Sequence, residues 1–220
     1  MRRFIAIVLL LGLGACGTHP ETTAGLGRDM PLKPMEDNLA GNTLVYRAPG
    51  VDASHYRGLY IAPTIVYTGE TDWGGTDAAT RRRIADRLTS EFKRALRDKG
   101  RLVLDRPTAN SATLQRTLGG VTSTHGVAAN ALKLSPVGFG MTVVKSAAGL
   151  PAAFTGSITV AGEIKESKTG KLLGGFVSRE SPTALDPRTL RGTEQTAMLA
   201  ATKSAEDFAA GIVRAQQQGN

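Results

Sequence analysis

The sequence predicts an α+β fold, a two-layer sandwich in which two main helices cover one face of a mostly antiparallel sheet. Three observations lead to this prediction. Short runs rich in apolar and β-branched residues recur along the chain and are typical of strands. Two longer segments, 76–99 and 193–215, repeat apolar residues at helical spacing. A polar turn with a glycine separates the last two strand-like runs, as in a β-hairpin.

The first strong strand signal is the run from Leu59 to Tyr67, which is rich in β-branched and aromatic residues. Pro63 has no N–H to donate to a ladder, so we expect an edge position or a bulge there. A loop over 68–75 follows and contains Trp73, the chain's only tryptophan.

Residues 76–99 form the clearest predicted helix. Thr76 is the expected N-cap, and Gly100 suits the position just beyond the end, where a left-handed conformation stops a helix. Apolar residues recur every four positions and predict one buried stripe, formed by Ile84, Leu88, Phe92 and Leu96.

Four further strand segments are predicted after this helix. Two are the short runs 102–104 and 112–121. A third begins near Phe154 and contains Ile158, Val160 and Ile164. The turn 166–171, in which Gly170 can adopt a positive φ, joins it to a strand over 172–177. Gly119–Gly120 and Gly174–Gly175 are interpreted as turns or bulges, because they match no phosphate-binding motif.

The last helical region is expected to start at Asp186–Pro187, with aspartate as the N-cap and proline in the first turn. The helix over 193–215 then needs an apolar face, which we predict to consist of Met198, Ala201, Ala205, Phe208 and Ile212.

The N-terminus carries a leader. Arg2 and Arg3 precede a short apolar stretch, and small residues follow it, which is typical of a cleavable export signal. The stretch is too short to cross hydrocarbon, which needs about 20 residues. The proposed cleavage motif is Leu13, Gly14, Ala15 and Cys16, and it contains the chain's only cysteine.

This N-terminus resembles a bacterial lipoprotein precursor over residues 1–17. The resemblance implies cleavage before Cys16 and acylation of that residue, so the partner of the N-terminus would be a membrane. Several acyl chains hold a protein on a bilayer durably. Gly17, in place of the aspartate that retains enteric lipoproteins at the inner membrane, implies the outer membrane, facing the periplasm. The alternative is an ordinary secretory signal with a chance cysteine.

The chain is expected to divide into four parts. Residues 1–15 are the leader, 16–50 the acylated N-terminus with a flexible tether rich in proline and glycine, 51–215 one globular domain, and 216–220 a polar tail. Leu44–Tyr46 is expected to add a short edge strand to the domain.

The composition limits the partners. The formal charge is +8 and falls to +6 without Arg2 and Arg3. An exported, acylated protein does not normally meet nucleic acid, so we exclude that partner. Anionic headgroups, envelope polymers or an acidic protein remain open, and so does a merely solvated basic surface. The tripeptide Arg81–Arg83 and the lysines Lys165, Lys168 and Lys171 are open to both readings.

No catalytic or metal-binding constellation is apparent in the sequence. The three histidines have no second ligand at metal spacing. Ser157 lacks a nucleophile motif and is expected to face solvent at a strand start. The carboxylates of Glu91, Glu194, Glu206 and Asp207 are expected on exposed surfaces. We therefore predict a protein that is not an enzyme and that uses no cofactor and no metal.

Residues 117–162 are poor in charge, since only Lys133 and Lys145 are charged there. This segment either packs as core or exposes an apolar contact surface. Trp73 is a further candidate contact, or a cover for the sheet end. The candidate contact residues for a partner or ligand are Trp73, Val137, Phe139, Met141, Val143 and Phe154.

The domain itself looks like an uncharacterised family of bacterial envelope lipoproteins, a domain of unknown function. The similarity covers residues 50–215 and rests on the run Tyr56–Pro63, the helix ending before Gly100, the strand pair around Lys168–Gly170 and the Ala-rich last helix. It implies an accessory or scaffold subunit of an envelope assembly with a protein partner. The alternative is a carrier of a small apolar or lipid ligand.

Overall fold

The computed structural model describes residues 30–35, 42–123, 156–183 and 186–217. In these ranges the strands are β1 (Lys33–Pro34), β2 (Thr43–Arg47), β3 (Gly58–Ile61), β4 (Ile65–Val66), β5 (Val103–Leu104), β6 (Ser111–Thr122), β7 (Ser157–Glu166) and β8 (Leu172–Glu180). The long helices are α1 (Ala78–Asp98) and α2 (Thr193–Gln217), and short 3-10 turns occupy Ala53–His55 and Pro187–Arg191.

The predicted α+β architecture is confirmed. The strands form one sheet in the order β1-β2-β8-β7-β6-β3-β5, and β4 also pairs with β6. The centre is an antiparallel meander of β6, β7 and β8, whereas β3 and β4 run parallel to β6. The two helices pack together on one face. We call the end of the sheet at the β7–β8 turn the hairpin end, and the end where Thr122, Ser157 and Glu180 meet the loop end.

The predicted strand over 59–67 is divided at Pro63 into two short strands, β3 and β4, which both pair with β6. Ile61 pairs with Leu114 and Ile65 with Thr117, so β3 and β4 share the same partner. In the break, the N–H of Thr64 donates to the hydroxyl of a residue on α1, Thr89, at 3.0 Å instead of to the sheet. The expectation for Pro63 is confirmed.

Helix α1 follows the predicted stripe, because Ile84, Leu88, Phe92 and Leu96 are all essentially inaccessible to solvent. The predicted N-cap is wrong by one residue: Oδ1 of Asp77 accepts the N–H of Thr80 at 2.7 Å. The Thr76 hydroxyl instead donates to the carbonyl of Trp73 at 2.6 Å and closes the preceding turn. Gly100 has a φ of 71°, as predicted for the residue that ends the helix.

Helix α2 buries a stripe of alanines. Ala201 and Ala205 of the predicted face are fully buried, whereas Met198, Phe208 and Ile212 are half-buried. Alanine lets the helix approach both α1 and the sheet closely. Phe208 fills the remaining space, with its ring 5.2 Å from each of the rings of Phe92 and Phe176. The other buried alanines of this stripe are Ala197, Ala200 and Ala209.

Ion pairs join the outer edges of the two helices, which run in the same direction. Arg83 binds Glu194 at 2.8 Å near their N-termini, and Arg94 lies 3.5 Å from Glu206 farther along. Glu91 was expected on an exposed face but is buried, because Arg87 at 2.9 Å and Arg94 at 2.5 Å cover it. Their aliphatic stems shield the carboxylate from water.

The sheet includes residues that were expected in the flexible tether over 16–50. All five residues of β2 pair with β8, which confirms the expected edge strand at Leu44–Tyr46. Residues 30–35 also belong to the domain, since Leu32 packs on Ala161 and Val177 on the sheet face opposite the helices. The prolines and glycines of this segment had suggested a tether and not a strand. Pro34 is tolerated because β1 is an edge strand. At the other terminus, α2 continues to residue 217, beyond the predicted boundary.

A fully buried arginine, Arg116, lies between the sheet and α1. Nη1 donates to the carbonyl of Leu88 on α1 at 3.0 Å, and Nη2 donates to that of Ala62, in the β3–β4 break, at 2.6 Å. The guanidinium carbon also lies 4.6 Å from the centre of the Phe92 ring. No described carboxylate pairs with Arg116, and burial lowers its pKa to about 9.

Gly162 is the first test of this packing. A Cβ there would lie 2.3 Å from a ring carbon of Phe176, so Gly162→Ala must displace a ring that also packs on Phe208. We expect the free energy of unfolding to fall by about 1–3 kcal/mol, measured by chemical denaturation. The matched control is Gly211→Ala in α2, where the added methyl meets open space. The free energy of unfolding of this control should rise by about 0.5–1 kcal/mol. Equal changes in the two variants would contradict the packing described.

Arg116 supplies the second test. Arg116→Met keeps most of the volume and removes a buried charge, but it leaves the carbonyl of Ala62 without this donor, so we expect the free energy of unfolding to fall by about 1–3 kcal/mol. Arg116→Lys keeps the charge but loses the planar pair of donors that reaches two carbonyls. It should be less stable than the methionine variant by about 2 kcal/mol. A lysine variant as stable as the parent, beside an unfolded methionine variant, would refute this account.

Candidate functional site

Most sequence-predicted site residues lie outside the described ranges. These are the cleavage and lipidation residues Leu13, Gly14, Ala15 and Cys16, and the candidate contacts Val137, Phe139, Met141, Val143 and Phe154. Trp73 is described. Within the described part of the chain, no helix has the length and apolarity needed to cross a bilayer.

The loop end of the sheet carries Trp73, which is the predicted contact residue within the described ranges. Thr122, the last residue of β6, pairs with Ser157, the first of β7, so the chain leaves and re-enters the sheet here. The stretch between these strands contains all the predicted contacts except Trp73. Trp73 lies at this end as well, because the loop over 68–75 rests on the end of β6: the N–H of Val121 donates to the carbonyl of Asp72 at 2.9 Å.

A bulge in β6 makes room for that loop. The register shifts between Leu118 and Gly120, so Gly119–Gly120 is a bulge as predicted. A Cβ on Gly120 would lie 2.9 Å from Oγ1 of Thr71, and that same hydroxyl donates to the carbonyl of Gly119 at 2.9 Å. Two adjacent residues without side chains therefore let the loop backbone lie directly on the strand.

Trp73 is partly buried against the main core. The guanidinium carbon of Arg81 lies 4.5 Å from the centre of its ring, a cation–π arrangement. Nη2 of Arg81 also donates to the carbonyl of Thr76 at 2.6 Å, which fixes its position at the start of α1. One surface of the indole thus packs on the protein, and the arginine covers another part.

Arg179 lies on the sheet face opposite the helices, where two hydroxyls hold its guanidinium. Its Nε donates to Oγ of Ser157 at 3.0 Å, and Nη2 donates to Oγ1 of Thr122 at 3.1 Å. Ser157 was expected to face solvent, but it is 5% exposed. Its hydroxyl is an acceptor for Arg179, and within the described ranges no base contacts it, so this geometry does not activate a nucleophile.

Glu180 is the most perturbed carboxyl group of the loop end. It is buried at the end of β8, and burial raises its pKa to about 7. Nζ of Lys203 on α2 lies 3.7 Å from one carboxylate oxygen, and Nδ2 of Asn42 donates to that oxygen at 3.3 Å. Lys203 also pairs with Asp207 on the next turn of α2. The cluster ties β2, β8 and α2 together.

These groups have partners within their own domain. Glu180 is paired with Lys203, and the two arginines of the central strands β6 and β8, Arg116 and Arg179, donate to oxygens of the same domain. In the described ranges, no three His, Cys, Asp or Glu side chains come together as metal ligands. Among the described residues, the loop end thus carries Trp73, Arg179 and the Glu180 cluster. Sequence reasoning identified only Trp73, because a strand's position in a sheet is needed to recognise the other two.

The Glu180 cluster predicts a pH dependence of stability. The pKa rises from 4.5 in an unfolded chain to about 7 in the folded one, so the folded state holds more protons in this window. The stability that this group contributes should therefore be fully present below about pH 4.5 and be lost as the pH rises to about 7, by up to about 3 kcal/mol.

The measurement is chemical denaturation across that pH range for the parent and for Glu180→Gln, which keeps the shape and cannot ionise. The variant should lose most of the slope between pH 5 and 7. The control is Glu194→Gln, whose carboxylate has a pKa lowered by its hydrogen bonds to Arg83 and should leave this slope in place. A slope that persists in Glu180→Gln would show that another group is responsible.

A model of an uncharacterised family matches most of the chain. The family model DUF3313, described as a protein of unknown function, matches residues 22–208. No curated protein matches the chain.

Solved structures show distant similarity of fold. A PelC dodecamer from Paraburkholderia phytofirmans is 10% identical, with 74% of this chain and 96% of that chain covered and a TM-score of 0.40. A protein of family DUF330 from Xanthomonas campestris is 11% identical, with 76% and 91% covered and a TM-score of 0.41.

The family match covers the described domain almost entirely and confirms the expectation of an uncharacterised family. This chain belongs to DUF3313, a family of proteins of unknown function.

Proposed function

We propose that this protein is a non-enzymatic lipoprotein of the bacterial outer membrane, anchored on the periplasmic side, that serves as an accessory or scaffold subunit of an envelope assembly. The observation that carries the proposal is the position of Cys16 directly after Leu13-Gly14-Ala15 and the short apolar stretch. Acyl chains on this residue would confine an otherwise water-facing domain to a surface.

The start of the domain supports an anchor close to it. The first described residue is Met30, whose sulfur lies against the backbone of Gly175 on the sheet. The chain from Cys16 to Met30 can span at most about 50 Å, since a fully extended residue advances about 3.3–3.6 Å. The membrane and the domain would therefore be close neighbours, which raises the local concentration of the domain around membrane-bound partners.

The side chains of the described domain support a role without catalysis. The carboxyl group of raised pKa is engaged by Lys203 and Asn42, and the buried guanidinium of Arg116 serves two backbone carbonyls. Such groups join elements of the fold. The exposed features of the loop end, by contrast, suit contact with a protein partner, since tryptophan and arginine are enriched where partners bind.

Fatty-acid labelling tests the anchor. Cells that produce the full-length chain are fed an alkyne fatty acid, and the protein is purified and reacted with a fluorescent azide. We expect the parent to be labelled and Cys16→Ser to be unlabelled, because the sulfur and the new amino group of Cys16 are the expected attachment points.

The matched control is Gly17→Asp, which keeps the cysteine and should keep the label. By the resemblance to enteric lipoproteins, it should also move the protein from outer- to inner-membrane fractions on a density gradient. Label retained by Cys16→Ser, or a mature parent protein with a free thiol, would refute the anchor.

A further inference from the structure

The charges of the described domain are divided unevenly between the two ends of the sheet. Residues 47–58, 97–111 and 163–174 form the hairpin end and contain nine Lys or Arg and five Asp or Glu. Residues 66–83, 119–123, 156–160, 178–183 and 186–194 form the loop end and contain six basic and six acidic residues. The hairpin end therefore has a net positive charge, whereas the charges of the loop end cancel. β6, which joins them, is twelve residues long, or about 40 Å.

The basic side chains of the hairpin end are accessible. Arg47, Arg57, Arg106, Lys168 and Lys171 are exposed and come from three separate connections of the sheet. Leu102, the most exposed large apolar residue of the described ranges, lies among them at 59% exposure, next to the short edge strand β5. A basic surface with an exposed leucine suits a layer that offers both anionic groups and hydrocarbon, as a lipid headgroup region does.

The first described residues of the chain, 30–32, lie toward this same end. β1 is antiparallel to β2: Lys33 pairs with Val45 and Pro34 with Leu44. β2 runs toward the hairpin end, where Arg47 pairs with Gly174. Residues 30–32 are therefore directed toward the hairpin end. Met30 lies against Gly175, which pairs with Tyr46, one position before Arg47.

From these three observations we propose that the hairpin end is a docking surface for an anionic phospholipid layer. The inference rests on the proposed acyl anchor and adds an orientation: the hairpin end faces the headgroups, and the loop end, with Trp73 and the Glu180 cluster, faces away. Exposed basic side chains near an anionic bilayer each strengthen binding by roughly fivefold. The acyl chains and the basic end thus provide two signals that act on the same side of the domain.

The test measures which end of the acylated, full-length mature protein lies nearer the lipid. An acylated Cys16 has no free thiol, so single cysteines can be placed at the hairpin end by Thr169→Cys and at the loop end by Glu70→Cys, both at exposed positions. Each is labelled with a donor dye. Energy transfer is then read to an acceptor lipid in phosphatidylethanolamine vesicles that contain phosphatidylglycerol.

We expect transfer from position 169 to exceed that from position 70 by about twofold or more, given a separation of about 40 Å. The difference should disappear in phosphatidylcholine vesicles and at about 0.5 M salt, where charges are screened within a few ångströms. The double variant Lys168→Gln with Lys171→Gln should reduce the difference in transfer between positions 169 and 70. The matched double variant Arg82→Gln with Arg191→Gln removes two exposed charges near the loop end, and it should leave this difference unchanged or increase it.

Equal or reversed transfer at low salt would overturn the inference. So would binding of the hairpin end to a soluble acidic polysaccharide that leaves the two positions equidistant from the lipid. The anchor is checked separately, because a parent chain that reacts with the dye at Cys16 overturns the proposed function and this inference with it. If the parent chain does not react with the dye and transfer from positions 169 and 70 is equal, only the proposed orientation is overturned.

Discussion

The guanidinium of Arg116 is the interaction on which the architecture depends. It lies where the sheet changes from antiparallel to parallel pairing, and it donates to a carbonyl of α1 and to one in the β3–β4 break. A carbonyl freed by an interrupted strand needs a donor, since an unpaired buried acceptor costs about 1–3 kcal/mol. The flat face of the guanidinium also packs on Phe92, so a charged group completes an apolar core. One side chain thus fixes how α1 sits on the parallel edge.

The rest of the helix layer follows from that placement. With Phe92 held under the arginine, Phe208 of α2 can pack between Phe92 and Phe176, and the alanines of α2 let the helix settle beside α1. Gly162 leaves room under the Phe176 ring, and Arg83 and Arg94 join the outer edges of the helices. The apolar contacts set the distances, and the ion pairs at the rim add smaller, partly screened contributions.

Local patterns in the sequence predicted the elements well, and failures occur where a residue's role depends on a distant strand. The α1 stripe, the β7–β8 turn and the bulge at Gly119–Gly120 each depend on neighbours within a few positions. The burial of Ser157, Glu91 and Glu180, and the core position of Arg116, depend on partners far along the chain or on arginine stems that cover them. The same limit hid the place of residues 30–35 in the domain, because Leu32 packs on Ala161 and Val177, more than 120 residues later.

The ordered N-terminal segment changes how an anchored domain would act. A long flexible tether would set a wide search volume and leave the orientation free. Residues 30–35 instead lie on the sheet, with residues 30–32 toward the basic end, so a membrane at that end would leave the opposite end pointing outward. The distance from the lipid to Trp73 would then be set by the length of β6, about 40 Å of hydrogen-bonded strand. A rigid spacer presents its far end at a nearly fixed height, which favours one partner geometry over many.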